Sequence, residues 1–370
     1  MKIAFYAPLK PPDHPVPSGD RQMARLLIAA LESKGNIITI PSHLRCYLRG
    51  SSLAEFNEAR ENSRDEFARI TREWAASGGG DLWLTYHPYY RAPDLLGPDV
   101  AKQFGIPYVT CEASYAAKRD NDGWKEQQAV VKSAVRQAAL NLCFTNRDRQ
   151  GLSAIVTSSS LANVPPFMAV EPVSSGDHRV ASPPEHLIAV AMMRSGVKFD
   201  SFKFLAAALA LLPDVPWHLT IVGHGPLAEA VRELFRVFPE KRLRWIGEVA
   251  PEAVSDYLRQ ASIYVWPGCG EAYGLAYLEA QAAGLPVIAQ AAAGVPEVVV
   301  HGQTGVLLPE GDIAGFASAI RRWINNPAER AVFGARARDF VQSERSLEKA
   351  AQRLHGLLSP LAGRVKCLHG

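Results

Sequence analysis

The sequence predicts an α/β protein of two doubly wound domains, each a parallel sheet covered by helices. Three observations carry this. Short β-branched and aromatic runs alternate with longer helical patterns along nearly the whole chain, which is the rhythm of parallel βαβ units. At 370 residues the chain exceeds what one ordinary core supports, so two domains are expected. The alternation is interrupted at 171–185 (EPVSSGDHRVASPPE), where proline, serine and glycine displace apolar residues, the composition of a linker. The expected division is a first domain at 1–170, a linker at 171–185 and a second domain at 186–342. A C-terminal helix at 343–370 is expected to pack back toward the first domain.

In chain order, 2–7 (KIAFYA) reads as a buried strand, followed by a loop stiffened by five prolines within ten residues. Ser18 or Asp20 is the candidate N-cap of a helix at 21–34, stopped by Gly35. Residues 36–40 form the second strand. Leu53, Phe56, Phe67, Ile70 and Trp74 draw a helical stripe in a charged background, an amphipathic cover helix closed by three glycines. Strands recur at 81–86, 107–111, 141–145 and 163–164. Beyond the linker, strands are expected at 186–192, 217–222, 242–246, 261–267, 286–289 and 305–308. Helices fall between them at 201–212, 227–238, 251–260 and 272–283, with a short helix start at 295–300. Terminal helices follow at 312–325 and 328–355.

Composition narrows the function classes. With 48% hydrophobic and 21% charged residues the chain is of the soluble globular type, and no apolar run approaches membrane-spanning length. A net charge of +3 is too weak to argue for nucleic acid, and it leaves peripheral contact with an anionic membrane surface open. The opening MKIAFYAPLK lacks a signal-type apolar segment, and the five cysteines are odd in number and scattered, so a reducing cytoplasm is the expected setting. Asp120-Asn121-Asp122 sits between Lys118-Arg119 and Gly123, which reads as a turn rather than a metal site. No metal and no cofactor are expected. The sequence leaves the oligomeric state open.

The most informative stretch is 266–279, WPGCGEAYGLAYLE. It reads as strand end, glycine-punctuated loop and helix start, and a helix N-terminus offers unpaired N–H groups that suit an anion. Glu271 and Glu279 bracket that start. Eight residues of helix separate them by about 12 Å and leave the pair broadly on one side. The first expectation is a phosphate held between two hydroxyl-binding carboxylates.

Five blocks then occur in order: AVAMMRSGVKFDSFKFLAAAL, LTIVGHGP, RWIGEV, the E-x7-E block GEAYGLAYLEAQAAGLPVI, and GVPEVVVHGQTGVLLP. Each is weak alone; in this order and spacing they resemble the retaining glycosyltransferases of family four. That family has the GT-B fold, two Rossmann-like domains facing across a cleft. The first half is similar more loosely, in its layout and at 2–6, Ser18-Gly19 and 105–110.

The resemblance implies roles. Glu271 would contact donor-sugar hydroxyls, and Glu279 the ribose. Tyr273, Gly274 and Leu275 would offer backbone N–H groups to the sugar and distal phosphate. Arg194 and Lys198 would neutralise the diphosphate leaving group, where preorganised cations lower the barrier. Gly19 would let backbone approach that diphosphate, and Gly247 to Val249 would meet the base. Gly223 and Gly225 are open between donor contact and a simple strand-to-helix turn.

Two departures from the family pattern stand out. The family commonly has a histidine after the strand at 107–110, where this chain has Glu112. His87, ending the preceding strand, is the other candidate for that place on the sugar or acceptor side. The family also has a glycine after the lysine, where this chain has Phe199.

The implied function is metal-independent, retaining sugar transfer from a nucleoside diphosphate sugar to a sugar, glycolipid or small-molecule acceptor, in polysaccharide or glycoconjugate assembly. A nucleotide-sugar-binding protein without transfer activity and a nucleotide-sugar epimerase of the same fold are the alternatives.

Overall fold

The computed structural model describes residues 1–16, 18–170, 183 and 185–366. The chain divides into two compact units: Met1–Pro165 with Leu347–Gly370, and Pro166–Ser346. Nearly all of the expected linker at 171–185 lies outside the described residues.

The N-terminal unit runs β1 (Lys2–Tyr6), α1 (Gly19–Glu32), β2 (Ile37–Thr39), α2 (Leu53–Ser77), β3 (Leu82–Tyr86) and α3 (Gly97–Phe104). It continues with β4 (Tyr108–Cys111), α4 (Lys125–Gln137), β5 (Leu140–Cys143), α5 (Asn146–Ser153) and β6 (Leu161–Asn163). Its six strands are all parallel in the order β2-β1-β3-β4-β5-β6. Every residue of β3, β4 and β5 is buried, as expected for a parallel sheet covered on both faces. Ser18 caps α1, its side chain accepting from the Arg21 N–H at 3.2 Å. On α2 the buried stripe includes Phe56 and Ile70, while Leu53, expected on it, is turned out to solvent.

The second unit runs β7 (His186–Val190), α6 (Val197–Ala210), β8 (His218–Val222), α7 (Ala228–Phe235), β9 (Leu243–Gly247), α8 (Pro251–Arg259) and β10 (Ile263–Val265). Then come α9 (Leu275–Ala282), β11 (Val287–Gln290), β12 (Gly305–Leu308), α10 (Ile313–Asn325) and α11 (Pro327–Glu344). Its parallel sheet has the order β12-β11-β10-β7-β8-β9. The helix start expected at 295–300 is only a 3₁₀ turn at Val295–Glu297.

The helix expected at 328–355 is two helices. At Arg345 and Ser346 the backbone leaves the helix: the Arg345 carbonyl accepts from the Met168 N–H at 2.9 Å, and Ser346 pairs with Met168. That pairing takes backbone groups a continuous helix would use internally. The final helix, α12 (Leu347–Lys366), lies along α1.

Topology fixes where each unit can hold a ligand. In an open α/β sheet the binding crevice opens beyond the strand C-termini, where the chain reverses its direction of winding. In the N-terminal unit the reversal falls between β1 and β3, beside the start of α1 at Gly19 and the loop that carries His87. In the second unit it falls between β7 and β10, beside the loops that carry Arg194 and Glu271.

Candidate active site

In the second unit the loop after β10 is held by its backbone. Gly268, Gly270 and Gly274 have φ of 68°, 64° and 79°. A Cβ on Gly268 would stand 2.1 Å from the Tyr277 hydroxyl, so glycine is required for packing as well as conformation. The Tyr277 hydroxyl donates to the Trp266 carbonyl at 3.0 Å, and the Ser201 Oγ accepts from the Cys269 N–H at 2.9 Å. Gln290 ties the loop further, donating to the Cys269 sulfur at 3.1 Å and accepting from the Gly311 N–H at 2.6 Å.

This frame presents Glu271, whose carboxylate pairs with the Lys198 ammonium; both side chains are 16% exposed. Lys198 stands in the first turn of α6, its Nζ 5.6 Å from the Trp266 ring centroid. Arg194 is exposed in the loop between β7 and α6. The phenol of Tyr264 is pushed well above its usual range by burial, with Glu279 and Glu271 adding to it. Both carboxylates therefore lie within electrostatic reach of the same buried ring.

The loop carrying Arg194 is backed by Gly223 and Gly225. The Met193 N–H bonds to the His224 carbonyl at 3.0 Å, and the Leu227 N–H to the Met193 carbonyl at 2.9 Å. A Cβ on Gly223 would lie 2.0 Å from the Ala191 carbonyl oxygen, and one on Gly225 2.4 Å from that of Met193. These glycines let one backbone lie directly against another, which positions the Arg194 loop.

The N-terminal unit gathers a charge cluster at the C-terminal ends of its strands. His87 and Glu112, each just past a strand, have φ of 58° and 57°, a left-handed conformation costing a non-glycine residue about 1–2 kcal/mol. The His87 Nδ1 lies 3.1 Å from the Asp20 Oδ1. Asp148, in the first turn of α5, completes the set: its Oδ2 accepts from the Thr145 Oγ1 at 2.6 Å.

The members perturb one another. Burial raises the Glu112 carboxyl to about 7, with His87 opposing and Asp148 and Asp20 adding. Burial alone would lower the His87 imidazole, but Glu112, Asp20 and Asp148 outweigh it and raise it to about 9. Asp20, although partly desolvated, is held below its usual range by His87 and by Lys10. At neutral pH the cluster holds an imidazolium beside the Asp20 carboxylate and a Glu112 carboxyl close to half-protonated, a set of donors and acceptors suited to polar hydroxyls.

Residues 184–326 match the family described as glycosyl transferases group 1. The D-inositol 3-phosphate glycosyltransferase of Corynebacterium efficiens is 33% identical over 355 residues, covering 87% of this chain and 82% of that protein.

The chain belongs to the glycosyl transferases of group 1.

Other likenesses are more local. The sulfoquinovosyl transferase SQD2 of Arabidopsis thaliana is 28% identical over 162 residues, 43% of this chain, so the match spans only 31% of that relative's length. In structure, Alr3699/HepE of Anabaena, solved in complex with UDP, aligns over 98% of this chain and 100% of its own with a TM-score of 0.73 at 16% identity, a likeness of fold. The two parallel-sheet domains are those of the GT-B fold.

Against this family frame the residues singled out from sequence fall into two groups. Arg194 lies in the loop after β7 and Lys198 in the first turn of α6, while Glu271, Tyr273 and Gly274 lie in the loop after β10 and Leu275 and Glu279 on α9; the Lys198–Glu271 pair joins the two segments. Gly247 and Val249 lie at and just after the end of β9, at the sheet edge. His87, Glu112 and Gly19 belong to the N-terminal unit, where a Cβ on Gly19 would meet nothing within 4 Å.

One geometric expectation is corrected. Helix α9 begins at Leu275, not at 272, so Glu271 sits in the loop and does not share a helix with Glu279. Three positive-φ glycines hold the preceding segment out of the helix. The two candidates for the family's histidine position, His87 and Glu112, prove to be members of one cluster. Sequence reasoning missed Asp148 and gave Asp20 only a capping role. The available signal was an acid in the first turn after a Ser or Thr cap, Ser18-Gly-Asp20 and Thr145-Asn-Arg-Asp148. Asp120 and Asp122 are engaged locally, with Tyr115, Lys132, Arg119 and the Trp124 N–H.

Proposed function

We propose that the protein transfers a sugar, with retention of anomeric configuration, from a nucleoside diphosphate sugar to a hydroxyl acceptor. The observation that carries this reading is the Lys198–Glu271 pair set beside Trp266 at the topological switch point of the second unit. The ammonium is poised for a diphosphate and the carboxylate for sugar hydroxyls, and each balances the other's charge when no donor is bound. Donor binding draws Lys198 to the phosphates and releases Glu271 to the sugar.

As the bond from the anomeric carbon to the phosphate oxygen breaks, negative charge grows on the diphosphate. Arg194, Lys198 and the N–H groups of 273–275 meet that charge without reorganising. The acceptor oxygen bonds to the anomeric carbon on the face the diphosphate leaves, and its proton passes to the departing phosphate oxygen. Glu279 holds the ribose, and Gly247 to Val249 the base. The His87–Glu112 cluster orients hydroxyls. Protein cations do the charge neutralisation, so the reaction is expected to run without a metal, at the cytoplasmic side, in polysaccharide or glycoconjugate assembly.

Binding without transfer and epimerisation need the same diphosphate site. Membership of a transferase family and relatives named for sugar transfer support transfer over both. A thermal-shift screen with nucleoside diphosphates and their sugars tests the donor site: a ligand at 100 times its Kd stabilises the fold by about 2.7 kcal/mol. Absence of a shift with every nucleotide overturns the reading. Product NMR then reads the anomer, and an inverted linkage refutes retention.

A further inference from the structure

The chain passes between its two units twice, after Pro165 and after Ser346. In the second unit both crossings meet at one residue. The Arg345 carbonyl accepts from the Met168 N–H at 2.9 Å, and Ser346 pairs with Met168 in a short parallel bridge. Helix α11 closes here, the Arg345 N–H still donating to the Val341 carbonyl at 3.1 Å. The Arg345 side chain does more than end a helix. Its guanidinium stands 4.5 Å from the Phe340 ring centroid, and Nη1 donates to the Glu344 carbonyl at 3.2 Å. Nε and Nη2 turn away from the helix, and both donate to the Glu297 carbonyl, at 3.4 and 3.2 Å.

Glu297 closes the 3₁₀ turn Val295–Glu297, and that turn is bonded to the candidate active site. The Glu297 N–H donates to the Gly294 carbonyl at 3.0 Å, and the Gly294 N–H to the Glu271 carbonyl at 3.3 Å. Ala293, just before it, is held at a φ of 45°. A non-glycine residue keeps such a conformation only where its surroundings over-determine it, so the turn is gripped from both sides. The Glu271 N–H in turn donates to the Gly268 carbonyl at 3.0 Å. Because α9 begins at Leu275, no helical ladder fixes the Glu271 peptide. The bonds from Gly268 and Gly294 set its tilt, and the tilt aims the carboxylate.

We propose that Arg345 is a positioning residue for Glu271: it clasps the segment where the chain crosses between units to the turn that holds the Glu271 backbone. This rests on the transferase reading given above. A basic residue at a helix C-terminus commonly serves only the last carbonyls. Arg345 spends one N–H in that way and two on a carbonyl 48 residues away in the chain. A guanidinium suits this double task, since its donors form a rigid planar fork, whereas an ammonium is a single point of charge. The consequence is selective. Arg345 governs contact with the donor sugar through Glu271, and it leaves the diphosphate, met by Arg194 and Lys198, largely alone.

The test uses the full chain with Arg345→Met, which keeps an unbranched stem over Phe340 and removes the donors. Hydrogen exchange of the ligand-free protein reads the path directly. Peptides covering 268–275 and 291–298 should exchange faster in the variant, while β7 and β8 keep their protection. Unchanged exchange in those peptides, or a rise spread over the whole second unit, overturns the proposal. Calorimetry with UDP, UDP-glucose, GDP and GDP-mannose reads the consequence. Arg345→Met should weaken the bound nucleotide sugar about tenfold, the scale of a small misplacement, and its diphosphate less than about twofold. Arg345→Lys should recover part of the loss. With Glu271→Ala already in place, Arg345→Met should cost less than about twofold more, because its effect runs through Glu271. Equal losses for diphosphate and nucleotide sugar, or full additivity with Glu271→Ala, overturn the positioning role. If no nucleotide binds the wild type, the transferase reading falls, and hydrogen exchange alone decides whether Arg345 holds the Glu271 loop.

Discussion

The two units put charged side chains at the C-terminal edge of a parallel sheet in opposite ways. The second unit does it with backbone. Glycines at 268, 270 and 274 shape one loop, Gly223 and Gly225 let another strand end lie against the Arg194 loop, and one ion pair stands in the middle. The N-terminal unit does it with side chains. His87 and Glu112 are forced into left-handed conformations, and they meet Asp20 and Asp148 from two separate helix starts. A backbone-built site is rigid and tolerates little substitution by any Cβ. A site built from side chains that share protons carries strain and responds to pH.

The largest effect that would sharpen this contrast is chemical. Arg194→Ala should lower kcat by about 10²–10³-fold, the usual cost of one charge-stabilising group, with little change in Tm because the side chain is exposed. A wild-type turnover number in that variant would remove Arg194 from the reaction. Next comes the backbone itself. Gly223→Ala places a methyl 2.0 Å from the Ala191 carbonyl oxygen, and denaturant titration should show a loss of about 2–4 kcal/mol. A neutral substitution would mean that the two loops are not in contact.

The third effect belongs to the N-terminal unit. His87 and Glu112 both have folded pKa values raised above their ordinary ones, to about 9 and about 7. The folded state thus binds more protons than the unfolded one, and stability falls as pH rises. The stabilisation from His87 is complete below pH 6.5 and is lost by about pH 9, at most on the order of 3 kcal/mol. Glu112 acts in the same direction between its ordinary value of 4.5 and about 7. His87→Gln should flatten the decline between pH 6.5 and 9; an unchanged slope would place the titrating group elsewhere. The smallest effect returns to the second unit, where Ala293 has a φ of 45°. Ala293→Gly should relieve that strain and raise stability by roughly 0.5–1 kcal/mol, read as a small rise in Tm.

The second unit's loops were the more legible for a physical reason. Its glycines and its Arg, Lys and Glu residues lie within a few residues of the loops they serve, so their order along the chain carries the pattern. The surroundings of Glu271 were misjudged, because the positive-φ glycines that delay α9 are invisible to helix propensity. The N-terminal cluster draws on two strand ends and two helix starts spread from Asp20 to Asp148, and its members look in sequence like first-turn helix acids, a loop histidine and an ordinary glutamate. The break between α11 and α12 was equally hidden, since it depends on a backbone contact from Ser346 to Met168, far away in the chain.

The sequence alone determined the α/β class, the parallel strands and their approximate limits, because the period of apolar residues and the placing of glycine and proline are local properties. It also placed the loops that carry Arg194 and Glu271, which are short. Only the tertiary structure decided that His87 and Glu112 share one charge cluster and that Gly223 and Gly225 brace the Arg194 loop. Each of these depends on which strand ends are neighbours, and neighbours in a doubly wound sheet are chosen by the order of winding, not by distance along the chain.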